Sequence, residues 1–312
     1  QMKSRRNFIK KTAIAGAGIT MLPNMSFGIN TGLFGKEQKL KVAMIGVGLR
    51  GTNHLDNVLQ RDDVLVTAIC DIDPRRIKIA LEKINKAGES KPEVFGKDDY
   101  DYRNLLALDN VDAVIISTPW LWHTRMAKDA MLAGKYTGLE VSAANTLEEC
   151  WDLVNTYEQT KTPFYFLENV CFRRDVMAVM NMVRDNLFGD LFHLECGYQH
   201  DLRGVKFNDG KSPYGMGTKF GTEGFSESAW RTLHSVHRNG DLYPTHGIGP
   251  VSQFLNINKG NRLVSMTSMS SKPKGLKKYI SDQENNSDKR LFYMIARFFT
   301  QKIMNSFFLI VF

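Results

Sequence analysis

The first half of the chain alternates between short apolar runs and longer segments with helical periodicity. The apolar runs are KLKVAMIGVG, VLVTAIC, VDAVIIS, YTGLEV and PFYFLENV, which begin at residues 39, 64, 111, 136 and 163. Each run has the length of a buried strand, and helical segments separate the runs. The pattern therefore predicts a doubly wound α/β domain over residues 35–167, with a mainly parallel sheet and helices on both of its faces.

The pattern changes after residue 167. LFHLECGYQHD (191–201) alternates as a half-buried strand should, and RLVSMTSMSS (262–271) is a second strand candidate. Between them, the glycine-rich segment 208–224 is too long for an ordinary hairpin and is interpreted as a loop that faces a site. These features predict an α+β domain over residues 168–280, with a mainly antiparallel sheet that is incomplete in this chain.

A dinucleotide fingerprint follows the first strand. Gly46-x-Gly48-x-x-Gly51 lies between that strand and a helix expected over 52–60. Gly46 permits a tight turn, Gly48 permits close approach of a pyrophosphate, and Gly51 permits close packing of helix on strand. The start of the helix offers backbone N–H groups to the phosphates. This context predicts a Rossmann-type domain.

The residue that closes the second strand indicates which dinucleotide binds. Asp71 can accept hydrogen bonds from the ribose hydroxyls of the adenosine and would repel a 2′-phosphate. Arg75 and Arg76 follow closely and weaken this inference. We expect NAD rather than NADP.

Further candidates lie where later strands end. His123 follows Thr118-Pro119 at the start of a helix, Glu140 ends the YTGLEV run, and Asn169 follows the next strand. Ligands bind at the carboxyl ends of parallel strands, so these side chains are expected at one edge of the sheet. His246 lies in the first turn of a helix predicted from THGIGPVSQFL, where it is either a general acid or base or a packed histidine.

Taken together, these motifs over residues 39–270 resemble the glucose–fructose oxidoreductase and inositol dehydrogenase superfamily. Within it, GLRG, WLWH, LEVS, ENVCFRRD and DLYPTHGIGP are similar to the NAD-dependent glycoside hydrolases of family 109, the α-N-acetylgalactosaminidases. By that resemblance, the NAD contacts also include Leu49, Arg50, Asp71, Trp120, Leu121, Trp122, His123, Glu140, Val141 and Asn169. The sugar contacts implied are Tyr198, Arg231, Tyr243, Pro244, Thr245 and His246, with Tyr198 and His246 catalytic.

The resemblance implies a redox-neutral cleavage of glycosides that carry a terminal N-acetylgalactosamine. C3 is oxidised by NAD, the C2 proton is removed, the C1 substituent leaves, water adds, and C3 is reduced again. Related dehydrogenases carry Glu-Lys-Pro where this chain has Glu140, Val141 and Ser142. Tyr198 and His246 would then handle protons, with Arg231 as a cationic neighbour of the tyrosine. Two alternatives stay open: an NAD-dependent sugar or polyol dehydrogenase, and a truncated, inactive NAD-binding protein.

The charge of +8 on the 312 residues is concentrated at the two ends, so no nucleic-acid partner is expected. Residues 1–34 place Arg5-Arg6 before a short apolar run, which resembles a twin-arginine signal. We therefore expect the twin-arginine machinery as a partner and the periplasm as the location. The alternative is a basic amphipathic segment.

Residues 281–312 have an atypical, strongly apolar composition. They are interpreted as a non-native tail, with a membrane-seeking segment or an amphipathic core helix as alternatives. Because the family continues beyond Tyr279, the activity of this chain is uncertain. The four cysteines show no metal-ligand spacing, so free thiols and no metal site are expected. The sequence is compatible with a homo-oligomer.

Overall fold

The computed structural model describes residues 39–198, 201–237, 242, 244–267 and 274–284. The predicted export segment, Tyr243 and most of the predicted tail lie outside the described residues. Within them, no helix combines the length and the apolar character that crossing a bilayer requires.

Six parallel strands form the sheet of the first domain. They are β1 (Leu40–Ile45), β2 (Val64–Cys70), β3 (Glu93–Phe95), β4 (Ala113–Ile116), β5 (Tyr136–Leu139) and β6 (Phe164–Phe166). Their order is β3-β2-β1-β4-β5-β6, and every neighbouring pair is parallel. This is the Rossmann order, in which successive strands are added first on one side of β1 and then, from β4 onward, on the other side. The change of side opens a crevice at the carboxyl ends of β1 and β4. The prediction of a doubly wound α/β fold is confirmed.

Helices cover both faces of this sheet. They are α1 (Leu49–Val58), α2 (Pro74–Lys86), α3 (Tyr102–Leu106), α4 (Trp120–Leu132) and α5 (Leu147–Thr160). One face packs Met44 and Ile69 against Leu55 of α1 and Ile84 of α2, and the other face carries a second buried apolar cluster beneath α4 and α5. Side chains cap two of the helices: Asp73 accepts from the Arg75 backbone N–H, and Thr146 accepts from Glu149.

The second region is helical in the part of the chain that the structure describes. It contains α6 (Arg174–Arg184), α7 (Arg203–Lys206), α8 (Arg231–His237), α9 (Pro244–Phe254) and α10 (Lys274–Glu284). Short 3-10 turns lie at Asn169–Phe172, Gly221–Glu223 and Ser226–Ala229. The turn at 169–172 directly follows the sheet and packs on α9, which brings α9 to the crevice.

The two strands predicted in this region are not formed by the residues described. Residues 191–198 and 262–267 contain no strand, and within them only Ser265 takes part in an isolated bridge. Other isolated bridges, such as Asn208–Lys219 and Ile257–Asn261, lie elsewhere in the region. Phe192 is 88% exposed, so the apolar face of its alternating pattern is not buried. A strand needs a hydrogen-bonded neighbour, and no neighbouring strand lies along these segments among the described residues. The described residues of this region therefore form no antiparallel sheet of the kind expected.

Candidate active site

The glycine-rich turn between β1 and α1 has the geometry that the fingerprint predicts. Gly46 has φ of +85°, a conformation open to glycine, and its N–H donates to Cys70. A Cβ on Gly51 would lie 2.0 Å from the carbonyl oxygen of Gly46, whereas a Cβ on Gly48 would meet no atom within 4 Å. The absence of a side chain at Gly51 thus lets α1 pack closely on the turn. The open space at Gly48 leaves room for a pyrophosphate at the start of α1.

Asp71 links this turn to the end of β2. One carboxylate oxygen accepts from the backbone N–H of Val47 at 2.9 Å, and the other accepts from Asp73 at 2.9 Å. Burial raises the pKa of Asp71, and these hydrogen bonds to its charged form partly offset that effect. Asp71 therefore holds the turn in shape from the position at which a ribose is expected.

Glu140, at the end of β5, is the centre of a buried ionic network. Its Oε1 lies 2.5 Å from Arg50 Nε and 2.6 Å from His54 Nε2, and its Oε2 accepts from the Val141 backbone at 2.9 Å. Burial alone would raise the pKa of Glu140. The hydrogen bonds from His54 and Arg50 prevail and lower it to about 2. The network ties α1 to β5 across the crevice.

Trp120 and His123 hold the chain that follows Glu140. Trp120 Nε1 donates to the carbonyl of Val141 at 3.1 Å, and the ring nitrogens of His123 lie 2.7 Å from the carbonyl oxygens of Ser142 and Thr118. Burial is the main reason that the pKa of His123 is lowered, although both carbonyl contacts oppose this shift. The geometry gives His123 a role in positioning the backbone beside the crevice.

His246, Tyr198 and Glu168 form a compact group opposite the glycine-rich turn. His246 Nδ1 lies 2.7 Å and 2.9 Å from the two carboxylate oxygens of Glu168, and both side chains are about nine-tenths buried. Burial opposes the charge of Glu168, yet the hydrogen bond from His246 leaves the pKa of Glu168 lowered. The Tyr198 ring packs edge-on to His246, with ring centroids 4.5 Å apart.

Arg231 does not convert Tyr198 into a ready base. Burial raises the pKa of Tyr198, and the charge of Arg231 reduces this shift without reversing it. The guanidinium of Arg231 pairs with Glu227 and lies 5.3 Å from the ring centroid of Trp120. Arg231 thus braces an aromatic wall of the crevice and leaves Tyr198 protonated at neutral pH.

One cavity of about 670 Å³ joins these features. The predicted site residues that line it are Gly46, Gly48, Leu49, Arg50, Asp71, Trp120, Trp122, His123, Glu140, Val141, Asn169, Tyr198, Arg231 and His246. Leu121 is 63% exposed and is not among the lining residues, because it lies on the outer side of the first turn of α4. Gly51, Pro244 and Thr245 support the walls without lining the cavity. The open Gly48 and the position of Asp71 fit an extended dinucleotide.

Glu168 and His54 were not predicted from the sequence. Glu168 is 78 residues from His246 in the chain, and His54 is 86 residues from Glu140, so no local spacing signals either contact. A usable signal was the end of β6, where Glu168 directly precedes the predicted Asn169. Among the described residues, no group of three or more histidine, cysteine or acidic side chains could hold a metal ion.

Comparison with known proteins matches both regions to described families. Residues 40–166 match the oxidoreductase family with an NAD-binding Rossmann fold, and residues 172–302 match the glycosyl hydrolase 109 C-terminal domain. The second match continues into the range interpreted above as a tail. The first region is an NAD-binding domain.

Full-length relatives agree with these matches. The chain is 47% identical over 279 residues to a glycosyl hydrolase family 109 protein of Stenotrophomonas maltophilia (strain K279a), covering 88% of this chain and 60% of that protein. It is 46% identical over 297 residues to an alpha-N-acetylgalactosaminidase of Tannerella forsythia, covering 90% of this chain and 64% of that protein. The chain thus spans less than two thirds of the length of these relatives. It belongs to glycosyl hydrolase family 109.

Proposed function

We propose that this protein cleaves terminal α-N-acetylgalactosamine from glycosides by an NAD-dependent route with no net oxidation. One observation carries the proposal: the buried Glu168–His246 pair and Tyr198 line the same cavity as the glycine-rich turn and Asp71. Proton-transfer groups and a dinucleotide site therefore face one space. The sugar is proposed from the name of the Tannerella forsythia relative.

Bound NAD would supply a hydride acceptor for C3 of the sugar and return the same hydride at the end of the cycle. The residues that would hold it are the turn 46–51 at the pyrophosphate and Asp71 at the ribose. Val141 lines the cavity where related dehydrogenases carry lysine, and its apolar side chain cannot exchange a proton. Proton transfer must then come from other side chains of the cavity.

His246 is the group best placed to act as a base. Glu168 holds Nδ1, which fixes the orientation of the ring and stabilises the imidazolium formed when Nε2 takes a proton. We propose that this base removes the C2 proton once C3 is a ketone. The C1–O bond then breaks, the aglycone leaves with a proton, and water adds across C1 and C2.

Tyr198 would complement His246 as a hydrogen-bond donor. Because its pKa is raised by burial, its hydroxyl keeps its proton at neutral pH and can stabilise the oxygen at C3 as charge develops there. Its ring contact with His246 keeps the two groups beside the same part of a sugar. An acid and a base in fixed relation are what the elimination requires.

A sugar or polyol oxidoreductase is the second candidate, because the first region matches an oxidoreductase family. It predicts a different product balance. A net oxidation would accumulate NADH in proportion to the sugar consumed, whereas the proposed cleavage would release the aglycone with no accumulation.

The test incubates NAD-loaded protein with 4-nitrophenyl α-N-acetylgalactosaminide in deuterated solvent and follows nitrophenol, NADH and deuterium at C2. Nitrophenol with deuterium at C2 and no NADH supports the proposal. NADH from a free sugar without glycoside cleavage supports the oxidoreductase, and released sugar that retains its C2 hydrogen excludes elimination. NAD binding with neither reaction indicates an inactive NAD-binding protein.

Two variants with matched controls assign the side chains. Tyr198→Phe and His246→Ala should each lower the cleavage rate about 10²–10⁴-fold, the usual scale for a general acid or base. Tyr214 and His193 are exposed and do not line the cavity, so Tyr214→Phe and His193→Ala should leave the rate unchanged. Equal effects in both pairs would contradict the assignment.

A further inference from the structure

Beside Asp71, the cavity is bordered by side chains from both regions of the chain. Arg75 and Arg76 come from the first turn of α2, and Phe225 and Ser226 come from the second region. All four line the same cavity as Asp71. We refer to these four residues as the clasp.

Direct contacts join the two halves of the clasp. Arg76 Nη2 donates to Ser226 Oγ at 2.9 Å, which links residues 150 positions apart in the chain. The guanidinium carbons of Arg75 and Arg76 lie 4.7 Å and 5.7 Å from the centroid of the Phe225 ring. A cation over an aromatic face is attracted by the ring, so both arginines are drawn toward Phe225.

A buried amide holds Phe225 in this position. The side chain of Asn208 is fully buried and makes two hydrogen bonds to the Phe225 backbone. Its Nδ2 donates to the carbonyl oxygen at 2.8 Å, and its Oδ1 accepts from the N–H at 3.1 Å. Asn208 therefore fixes the backbone as a neighbouring strand would, and the aromatic ring has a defined place over the arginines.

Ser226 adopts a backbone conformation that a side chain disfavours. Its φ is +57°, in the left-handed region, although it is not a glycine. Such conformations persist where surrounding contacts over-determine them, and they cluster at ligand clamps. Here the contacts are the hydrogen bond from Arg76 to Ser226 and the two hydrogen bonds from Asn208 to the backbone of Phe225.

The clasp is also continuous with the predicted ribose site. Asp71 accepts from the backbone of Asp73, and the Asp73 carboxylate binds Arg75 Nε at 2.9 Å. A chain of contacts thus runs from the ribose-binding carboxylate through Asp73 and Arg75 to Phe225. A group bound at Asp71 would share its cavity with Phe225 and Ser226.

We infer that the clasp retains NAD by closing the second region over its adenosine end. The inference rests on NAD being the cofactor. A redox-neutral cycle needs no exchange of cofactor between turnovers, so a closed adenosine end carries no kinetic penalty for it. The clasp also engages Arg75 and Arg76, two cations that line the same cavity as Asp71.

The test measures how fast bound NAD leaves the full chain. The protein is loaded with NAD and desalted, and released NAD is quantified over time by an enzymatic cycling assay. Phe225→Ala should speed release at least about 10-fold, since it removes the ring that both arginines contact. Ser226→Ala and Arg76→Ala should each speed release about 2–10-fold, the range for one hydrogen bond.

The double variant supplies a readout that a general loss of packing would not give. Ser226→Ala and Arg76→Ala both remove the hydrogen bond between the two side chains, and Arg76→Ala also removes the contact with the Phe225 ring. The double variant should therefore release NAD no faster than Arg76→Ala alone. Phe192→Ala and Arg61→Ala change an exposed aromatic and an exposed, paired arginine elsewhere, and both should release NAD at the original rate. If Phe225→Ala does not fold, the release rates of the Ser226 and Arg76 variants still show whether the clasp retains NAD.

Release at the original rate from the Ser226 and Arg76 variants would overturn the inference while leaving the proposed reaction intact. An original chain that does not bind NAD would overturn both. Slow NAD release without glycoside cleavage would support the clasp and count against the proposed reaction alone.

Discussion

At the scale of single residues, the carboxylate beside a histidine determines whether its ring is held in one orientation. Of the three His–Glu pairs among the described residues, the two other than His54 and Glu140 differ sharply in burial. His246 and Glu168 are buried with a 2.7 Å contact, whereas His193 and Glu195 are exposed with a 3.3 Å contact. An exposed ion pair of this kind contributes little, because water screens it. The buried pair fixes a ring orientation, which is why it can serve proton transfer.

Glu168→Gln should therefore impair the reaction by mispositioning His246. The amide cannot stabilise an imidazolium as a carboxylate does, so we expect kcat to fall about 10–100-fold with little change in KM. Glu168→Asp should restore part of the rate, because it returns the charge. Glu195→Gln is the matched control and should have no effect. A rise in KM with kcat unchanged would assign Glu168 to sugar binding instead.

Asp71 combines a structural role with a role in cofactor choice. Asp71→Ala removes the acceptor for two backbone N–H groups and the carboxylate expected at the ribose. We expect the Kd for NAD to rise about 10-fold and the preference for NAD over NADP to relax, since the repulsive charge is gone. Titration with both dinucleotides measures this. Asp62→Ala, which removes an exposed carboxylate at the opposite end of β2, should change neither value. An unaltered preference in Asp71→Ala would contradict the assignment.

At the scale of elements, two glycines of the same turn have different roles: Gly51 matters for stability and Gly48 for cofactor binding. A Cβ at Gly51 would collide with the backbone of Gly46, but a Cβ at Gly48 would meet no protein atom. Gly51→Ala should thus lower the free energy of unfolding by about 1–3 kcal/mol, through strain between α1 and β1. Gly48→Ala should leave stability nearly unchanged and weaken NAD binding at least about 10-fold. Thermal unfolding and NAD titration together distinguish the two; a stable Gly51→Ala would show that the turn can relax.

The same elements show how far the sequence predicts the structure. Five of the six strands of the first domain were predicted from the sequence, because the pattern of apolar residues in each run is unambiguous. The three-residue strand β3 was not predicted, because it is too short to show a pattern. The helix with His246 was predictable from its apolar pattern, as the five strands were. The strand predicted at 191–201 is not formed by its described residues, because alternation indicates a possible buried face and not the partner strand that would bury it.

Contacts between elements distant in the chain were the second feature that could not be predicted from the sequence. Glu168 and His54 carry no motif, and their roles arise only when β6 meets α9 and when α1 meets β5. The arginines after Asp71 gave an ambiguous signal about a 2′-phosphate. Their engagement by Phe225 and Ser226 depends on how the second region folds back, which no local pattern encodes.

At the scale of the whole molecule, charge networks across the crevice make the free energy of unfolding depend on pH. Glu140 is the strongest case, since its hydrogen bonds with Arg50 and His54 hold its pKa near 2 in the folded chain. The ordinary pKa of a glutamate is 4.5, so the ionised form of Glu140 is favoured more strongly in the folded state than in the unfolded state. The stabilisation is fully present above about pH 4.5 and is lost as the pH falls toward 2.

Glu140→Gln should reveal this dependence directly. At pH 7 we expect the variant to be less stable by about 2–3 kcal/mol, the scale of a shift of two pKa units or slightly more. Between pH 4.5 and 2 the original chain protonates its own Glu140 and approaches the neutral amide in charge, so the difference should shrink. Urea unfolding across this range provides the measurement, with Glu89→Gln as the control, because Glu89 belongs to the exposed pair with Lys39. A stability difference that stays constant with pH would mean that Glu140 contributes through packing and hydrogen bonding, and not through its charge.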